Sequence, residues 1–465
     1  MSQHVILDLA EIAAAVGGTV HGGPANVAGV STDSRAVAPG QLFVALKGER
    51  FDAHDFIAQV AAQGAAAALV ADDQLAKARA AAPALPLVAC ADTRHGLGRL
   101  AAHWRAKFAI PVIALTGSNG KTTTKEMIAS ILAVAFGAEA VLATRGNFNN
   151  DIGLPLTLLG LTAAHKVAVI EMGMNHPGEI AYLTGLTRPT VALVTNAQRA
   201  HLEGMGTLDE VAREKGSIYA GLDAKGVAVV NADDEFAGYW QGLNCGRTVR
   251  TFGFAEGASV RGAVRTHGLD LELDLACAEG SATVRLAVPG RHNGANALAA
   301  AAATLAAGIP LAQVAEGLAR FTGVAGRLQR RAGKKGAQLL DDTYNANPDS
   351  VRAGIDVLAA TVGRKVMVLG AMGEIGEMSG QFHDEVGGYA KSQGVDRLYT
   401  LGDLAEVATR NFGEGAQHFG SPEALAQALI PELGPDVTVL IKGSRFMKME
   451  RVVALLADEP VQESH

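Results

Sequence analysis

Val112-Ile-Ala-Leu-Thr-Gly-Ser-Asn-Gly-Lys-Thr-Thr-Thr-Lys-Glu-Met127 decides how this chain is read. A β-branched run, Val112–Leu115, enters a glycine-containing turn and leaves it in a helical pattern. That order sets Gly117, Ser118, Asn119, Gly120, Lys121, Thr122 and Thr123 where backbone N–H groups and a helix N-terminus converge on an anion. Lys121 is long enough to reach the terminal phosphates of a nucleotide, and the Thr122 hydroxyl suits Mg²⁺. The G-x-x-x-x-G-K-[ST] pattern wants a glycine at position 115, where this chain has Leu115. A shorter T-G-x-x-G-K-T loop remains. The bland alternative, a glycine-rich turn with a solvated lysine, is disfavoured by the strand that feeds it.

Outward from this loop, 465 residues exceed one ordinary core, so about two to four domains are expected. The chain is 49% hydrophobic and 19% charged, which excludes a disordered chain. A net charge of −7 argues against a non-specific nucleic-acid binder. Cys90, Cys245 and Cys277 show no metal-ligand spacing and read as reduced, mostly buried thiols. Residues 1–8 carry no signal-peptide pattern, and alanine-rich runs such as Ala61–Val70 are too short to span a bilayer. A cytoplasmic protein without membrane insertion is expected.

The alternation of strands and helices implies an α/β protein of three domains. These are a smaller N-terminal α/β domain (1–90), a central parallel-sheet domain carrying the phosphate loop (91–325), and a C-terminal Rossmann-like domain (326–465). In the centre, Lys166–Ile170, Thr190–Thr195 and Gly226–Val230 are strand candidates, and Leu269–Ala276 alternates as an antiparallel, half-exposed strand. Gln338–Leu340, Lys365–Leu369, Arg397–Leu401 and Val437–Ile441 are strand candidates of the last domain, with a helix over Ser350–Thr361. Gly370-Ala-Met-Gly-Glu-Ile-Gly lacks G-x-G-x-x-G spacing, so a dinucleotide-dependent reductase is disfavoured. The polar tail 457–465 reads as frayed.

Ligands of parallel sheets gather beyond the carboxyl ends of the strands, where Thr116, Glu171 and His201 fall. Glu171 reads either as a hard carboxylate for Mg²⁺ or as a strand-end acid facing water. His201 reads as a second site residue or as a helix start. Lys215, in Leu208-Asp-Glu-Val-Ala-Arg-Glu-Lys, reads by itself as a solvated helical lysine. Together with Lys121 and Thr122, the first two favour a metal–phosphate site.

Thr116–Thr122, Glu171-Met-Gly-Met-Asn, His201-Leu-Glu, Lys215, Arg291-His-Asn-Gly-Ala-Asn and Asp342-Thr-Tyr-Asn-Ala-Asn-Pro, in this order, resemble the Mur ligase family. Ser31-Thr-Asp-Ser-Arg and Pro39–Gly48 extend the resemblance over essentially the whole chain. It implies an ATP-dependent amide-forming ligase of peptidoglycan precursor synthesis. The segment Asp342–Ser350 fits the member that adds D-alanyl-D-alanine to UDP-N-acetylmuramoyl-tripeptide through an acyl phosphate, releasing ADP and phosphate. The Asp-Asn-Pro-Arg motif of the diamino-acid-adding member is absent.

By position, the resemblance makes Lys121, Glu171, His201 and Lys215 the catalytic group. Gly117–Thr123, Asn293, Asn296, Arg327 and Asp342 become ATP contacts. Ser31, Thr32, Ser34 and Arg35, with Phe43–Arg50, would face the UDP end, and Asn147, Asn149, Asn345 and Asn347 would meet substrate. Two Mg²⁺ ions are implied, held by Thr122, Glu171, His201 and a carbamylated Lys215. A monomer is expected, with UDP-tripeptide and D-alanyl-D-alanine as its small-molecule partners and no nucleic acid. Ala371 stands where an Asp is common, and Ala197-Gln-Arg replaces a smaller stretch before the histidine. The rival readings are another ligase of the family, a folyl-polyglutamate synthetase, and a nucleotide-switched binding protein. ADP release with each amino substrate separates the ligases; amide product excludes a switch.

Overall fold

The computed structural model describes residues 7–458, so residues 459–465 of the polar tail lie outside it. Three large sheets follow one another along the chain, and the first segment adds a two-stranded antiparallel pair, Leu7–Asp8 with Asn26–Val27. The first has five strands in the order Thr19–His21, Leu87–Cys90, Ala67–Ala71, Leu42–Val44, Val30–Ser31. All neighbours are parallel except the first pair. The helix Thr93–Arg105 leads out of this sheet. Its Leu97, Leu100 and Trp104 pack in one continuous cluster with Ile12, Val16 and Leu69 on one side and Leu154, Leu158 and Leu183 on the other. The first segment is thereby seated on the second by a shared apolar core.

The central sheet has nine strands. Val141–Ala143, Val167–Glu171, Val112–Thr116, Val191–Val194, Val227–Asn231 and Thr248–Gly253 run parallel in that spatial order. An antiparallel meander, Val260–His267, Asp270–Cys277 and Gly280–Leu286, completes it. The inner strands Val112–Thr116, Val167–Glu171 and Val191–Val194 are buried along their whole length and largely apolar because both faces are covered, whereas Thr248–Gly253 is largely polar and part-exposed over its first half. Ile113 and Leu115 face the helices Lys121–Phe136 and Arg291–Ala306, whereas Val112 and Ala114 face the opposite core. Ile170 and Val169, and Val194 and Leu193, divide in the same way. In the meander the alternation becomes half-exposed, as its sequence indicates. Leu271, Leu273 and Leu275 are buried, while Glu272 and Asp274 turn outward to Arg265.

The third sheet runs Gln329–Ala332, Gln338–Asp342, Val437–Lys442, Arg364–Gly370, Arg397–Leu401, Ala416–Phe419, parallel except at the first pair. Helices Pro348–Ala359 and Ser379–Ser392 cover one face, and Pro422–Leu429 and Glu450–Leu456 the other. The carboxyl ends of its strands carry the loops 343–347, 371–375 and 443–447, and the first two meet the central domain through Asn347 and Glu374.

The cysteine expectation needs correction. All three thiols are free, but only Cys90 is buried; Cys245 is exposed in a turn, and Cys277 lies at the outer end of a meander strand. No helix among the described residues is long and apolar enough to cross a membrane.

Candidate active site

The strand Val112–Thr116 delivers the chain into the phosphate loop, and the helix Lys121–Phe136 leaves it. Gly120 adopts φ +80°, and a Cβ there would lie 2.2 Å from Asn296 Oδ1, so only glycine fits between loop and helix. The loop is strapped from outside by residues 195–198. Ser118 N donates to the Asn196 carbonyl (3.0 Å) and Asn119 N to Asn196 Oδ1 (2.9 Å), while the Thr195 hydroxyl donates to the Asn119 carbonyl (2.8 Å). This revises the expected cradle. The amides of Ser118 and Asn119 are spent on Asn196, whereas those of Lys121, Thr122 and Thr123 precede the first helical bond, Thr124 N to Gly120 O. Lys121 Nζ donates back to the Gly117 carbonyl (2.7 Å). Burial holds its amine below the ordinary lysine range, Arg327 adds to this, and Glu171 opposes it.

Glu171 does not face water: it is 1% exposed at the end of its strand. Its Oε1 accepts from Asn149 Nδ2 at 2.8 Å and from the Thr122 hydroxyl at 3.4 Å. Its Oε2 is buried with no hydrogen-bond partner among the described residues. An unpaired buried carboxylate oxygen beside a threonine hydroxyl is a hard-donor pair that a divalent cation would complete.

His201 begins the short helix Leu202–Met205 at φ +58°. Its Nδ1 stands 2.9 Å from Glu374 Oε2, across the gap between central and third domains. Burial lowers the imidazole's affinity for a proton, the hydrogen bond to Glu374 opposes this, and the charges of Lys121 and Lys215 add to the lowering.

Lys215 overturns its reading as a solvated helical lysine. It lies in the helix Leu208–Gly216 and is buried; among the described residues its Nζ has one hydrogen-bond partner, the Met174 sulfur at 3.8 Å. The neighbouring Glu214 does not serve it, since both its oxygens cap the helix Glu179–Thr187 through the amides of Gly178 and Ile180. Burial, reinforced by Lys121, drives the Lys215 amine well below its ordinary value. The result is a buried amine that holds its proton weakly, in the field of the Lys121 charge.

From the third domain, Arg327 brings Nη2 to 3.5 Å from the Thr122 hydroxyl, with its guanidinium stacked 4.1 Å from the Tyr344 ring centroid. Asp342 lies beneath it. Its carboxylate accepts from Lys442 Nζ (2.6 Å) and from the Leu328 amide (3.3 Å), so it fixes the turn that carries Arg327. Asn296 abuts the loop at Gly120 and donates to Asn293 Oδ1 (3.1 Å), while Asn293 Nδ2 donates to the Pro289 carbonyl (2.7 Å).

The asparagines expected at substrate divide. Asn147 is exposed and Asn345 stands at the third-domain edge, its carbonyl accepting from Lys442. Asn149 and Asn347 also make bonds within the protein. Asn149 holds Glu171. Asn347 caps the helix Pro348–Ala359 through Ser350 N and donates to Asn119 Oδ1 (2.8 Å), so its amide docks the third domain on the phosphate loop.

Thr32, Ser34 and Arg35 line a cavity of about 400 Å³ in the first domain, with Asp33, Leu46, Gly48, Phe51, Ala53 and Phe56. Ser31 braces this turn by bonds to Asp33. Phe43 departs from expectation, because its strand position turns it wholly into the first-domain core. Phe51, 77% exposed, and Phe56 supply the aromatic wall instead; the exposed Phe in Gly48-Glu-Arg-Phe was the available signal. Sequence reasoning also missed Glu374, Asn196 and Arg199, whose roles arise from contacts between distant segments.

Residues 115–304 match the Mur ligase middle domain, 326–445 the Mur ligase glutamate ligase domain, and 26–105 the Mur ligase family catalytic domain. The chain is 42% identical over 460 residues to the UDP-N-acetylmuramoyl-tripeptide–D-alanyl-D-alanine ligase of Escherichia coli K12, covering 98% of this chain and 99% of that one. The crystal structure of MurF from Acinetobacter baumannii superposes with a TM-score of 0.91 at 37% identity, over 97% of this chain and 99% of that chain. MurF of Thermotoga maritima, solved in complex with ADP, gives 0.79 at 28% identity, over 92% and 96%.

Proposed function

The chain belongs to the Mur ligase family, and on that premise we propose the reaction and the residue roles that follow. The protein is an ATP-dependent ligase that joins D-alanyl-D-alanine to UDP-N-acetylmuramoyl-tripeptide, giving the pentapeptide precursor of peptidoglycan with ADP and phosphate. The observation that carries the site assignment is the meeting of Lys121, Thr122 and Glu171 from the central sheet with Arg327 from the third domain at one phosphate loop.

A carboxylate is a poor electrophile, so its oxygen first takes the γ-phosphoryl group of ATP and becomes an acyl phosphate. Two anions meet in that step. Lys121 and Arg327 offset their repulsion, and the free amides of Lys121, Thr122 and Thr123 orient the phosphates. Mg²⁺, when bound, supplies Lewis-acid stabilisation of the phosphoryl oxygens. Thr122 and Glu171 would hold one ion. Glu171 and His201 would serve a second, with Lys215 as its carbamate. As an amine Lys215 offers no hard oxygen; as a carbamate it offers two oxygens and a negative charge. The amine of the dipeptide then attacks the acyl carbon, a tetrahedral intermediate forms, and phosphate leaves. The dock of Asn347 on Asn119 helps to exclude water from the acyl phosphate.

The first-domain cavity takes the UDP end: Phe51 and Phe56 face the base, and Thr32, Ser34 and Arg35 face the diphosphate. The third-domain loops 371–375 and 443–447 receive the dipeptide. The three domains are 1–90, 91–325 and 326–465, and the enzyme works as a monomer in the cytoplasm. The test is ADP release by purified protein with the UDP-tripeptide, carrying lysine or diaminopimelate in turn. D-Alanyl-D-alanine should stimulate release and yield the pentapeptide product; stimulation only by a single amino acid would move the chain to another ligase of the family.

A further inference from the structure

The segment Ala197-Gln-Arg, just ahead of His201, ties two domains together through Arg199. This residue follows the central strand Val191–Val194, yet every charged partner of its side chain lies on the third domain. Its Nε and Nη2 donate to Asp349 Oδ1 (3.0 and 2.7 Å), and its backbone N–H to Asp349 Oδ2 (2.8 Å). Its Nη1 and Nη2 also donate to Glu385 (2.8 and 3.1 Å), and the guanidinium lies 5.3 Å from the Phe382 ring centroid. Arg352, on the same helix as Asp349, donates to Glu385 at 3.0 Å, so the network contains two cations and two anions. Side-chain exposures are 27% for Arg199, 21% for Asp349 and 29% for Glu385, which screens the pairs less than open water would.

The latch is continuous with the nucleotide cradle. Gln198, the preceding residue, accepts from the Ser118 hydroxyl through its carbonyl (3.0 Å) and from Asn119 Nδ2 through its side chain (2.7 Å). Asp349 stands two residues after Asn347, which docks on Asn119. Arg199 and the phosphate loop thus grip the same helix start from two sides.

We propose that Arg199 is a positioning residue, an inter-domain latch that holds the third domain against the phosphate loop and sets the fraction of molecules in the arrangement competent for ligation. The step it serves rests on the ligase reading above; the latch itself does not. Because its partners lie on another domain, losing the side chain leaves the central fold intact. Apparent affinities for ligands that touch both domains should weaken by the loss in competent fraction. The maximal rate at saturation should stay nearly constant, since ligands that bind both sides restore closure.

The test is small-angle scattering and steady-state kinetics on the full chain as wild type, Arg199→Ala, Arg199→Lys and Glu385→Gln. Without substrates, Arg199→Ala should show a larger radius of gyration than wild type, with unchanged circular dichroism. Its KM for ATP and for D-alanyl-D-alanine should rise about 5- to 30-fold, the range that ~1–2 kcal/mol of lost closure free energy represents. Its kcat should stay within about twofold on the same population argument. Arg199→Lys, which cannot fork between two carboxylates, should fall between them. High salt should move wild type toward Arg199→Ala and leave the variant unmoved. Glu385→Gln should give a smaller shift of the same sign and decides the matter if Arg199→Ala does not fold. An unchanged radius and KM overturn the latch, and so does a collapse of kcat at constant KM. Scattering without substrates reads the latch even for a chain that releases no ADP, so failure of the ligase reading is seen separately.

Discussion

Withdrawing CO₂ from the wild-type protein, and replacing Lys215 by Met, together decide whether Lys215 works as an amine or as a carbamate. Among the described residues the buried Nζ has only a thioether at 3.8 Å as partner, and the carboxylate of Glu214 is committed to the Gly178 and Ile180 amides. A buried polar group left unsatisfied costs about 1–3 kcal/mol, so in CO₂-free buffer Lys215→Met should be more stable than wild type by roughly that amount. With bicarbonate and Mg²⁺ the order should reverse. The neutral nitrogen attacks CO₂, an N–C bond forms, one C=O electron pair moves to oxygen, and the nitrogen gives a proton to solvent. The resulting anion would offer oxygens to a bound Mg²⁺ and a negative charge to Lys121. The pH dependence follows from the sign of the shift: burial, then Lys121, lowers this amine well below 10.5. The unfolded chain therefore binds the extra proton between the two values, and stability rises with pH across that window. Carbamate formation needs the neutral amine, so activity at limiting CO₂ should rise as pH climbs through the lowered value. The assays are ADP release in CO₂-free and bicarbonate-supplemented buffer, and carbon-13 NMR with labelled bicarbonate. A carbamate resonance should appear in wild type and be absent from Lys215→Met. Full wild-type turnover without CO₂ and without that resonance would refute the modification.

Two further substitutions probe the cradle. Gly120→Ala forces a Cβ into a left-handed position, at about 1–2 kcal/mol, and displaces Asn296 Oδ1. Calorimetry should show ADP binding weakened about tenfold or more on that strain alone; adding Asn296→Ala should relieve the contact but not the backbone cost, and wild-type affinity in Gly120→Ala would remove the loop assignment. Asn149→Ala strips Glu171 of its 2.8 Å donor and frees the carboxylate to turn from Thr122. The Mg²⁺ concentration for half-maximal ADP release should rise several-fold, consistent with the ~1 kcal/mol worth of one hydrogen bond, and no change would argue that Asn149 does not position the metal ligand.

The strands were legible because burial on both faces writes continuous apolar runs. Arg397–Leu401 stands where its run places it, and Asp270–Cys277 follows its alternation. Gln329–Ala332 and Ala416–Phe419 were not legible. Each is a four-residue sheet edge whose polar residues reflect one open side. In the site, the phosphate loop could be read because strand, turn and helix are adjacent in sequence. Lys215 could not be placed by its helix, whose charged pattern suits a solvated face. Its buried amine meets Met174, 41 residues away, a contact the helix pattern does not carry. For Asn347 the cap was legible, since an asparagine before Pro-Asp-Ser starts a helix, but its bond to Asn119, 228 residues away, was not.

The stretch Thr195–His201 explains why nucleotide cradle and domain closure belong to one device. Thr195 and Asn196 fix the backbone of the phosphate loop, Gln198 holds its Ser118 and Asn119 side chains, Arg199 grips the third domain, and His201 meets Glu374. These contacts come from five residues within one short stretch, 195–201, too short to deform independently. A shift of the third domain that pulls on Arg199 must therefore be felt at Ser118 and Asn119, and a nucleotide that orders the loop must stiffen the base on which Arg199 stands. By linkage the two effects are equal in free energy. The coupling needs no relay through the protein core, because one loop at the end of one strand touches both partners. An acyl phosphate requires this arrangement: the groups that make it and the wall that keeps water from it must arrive together.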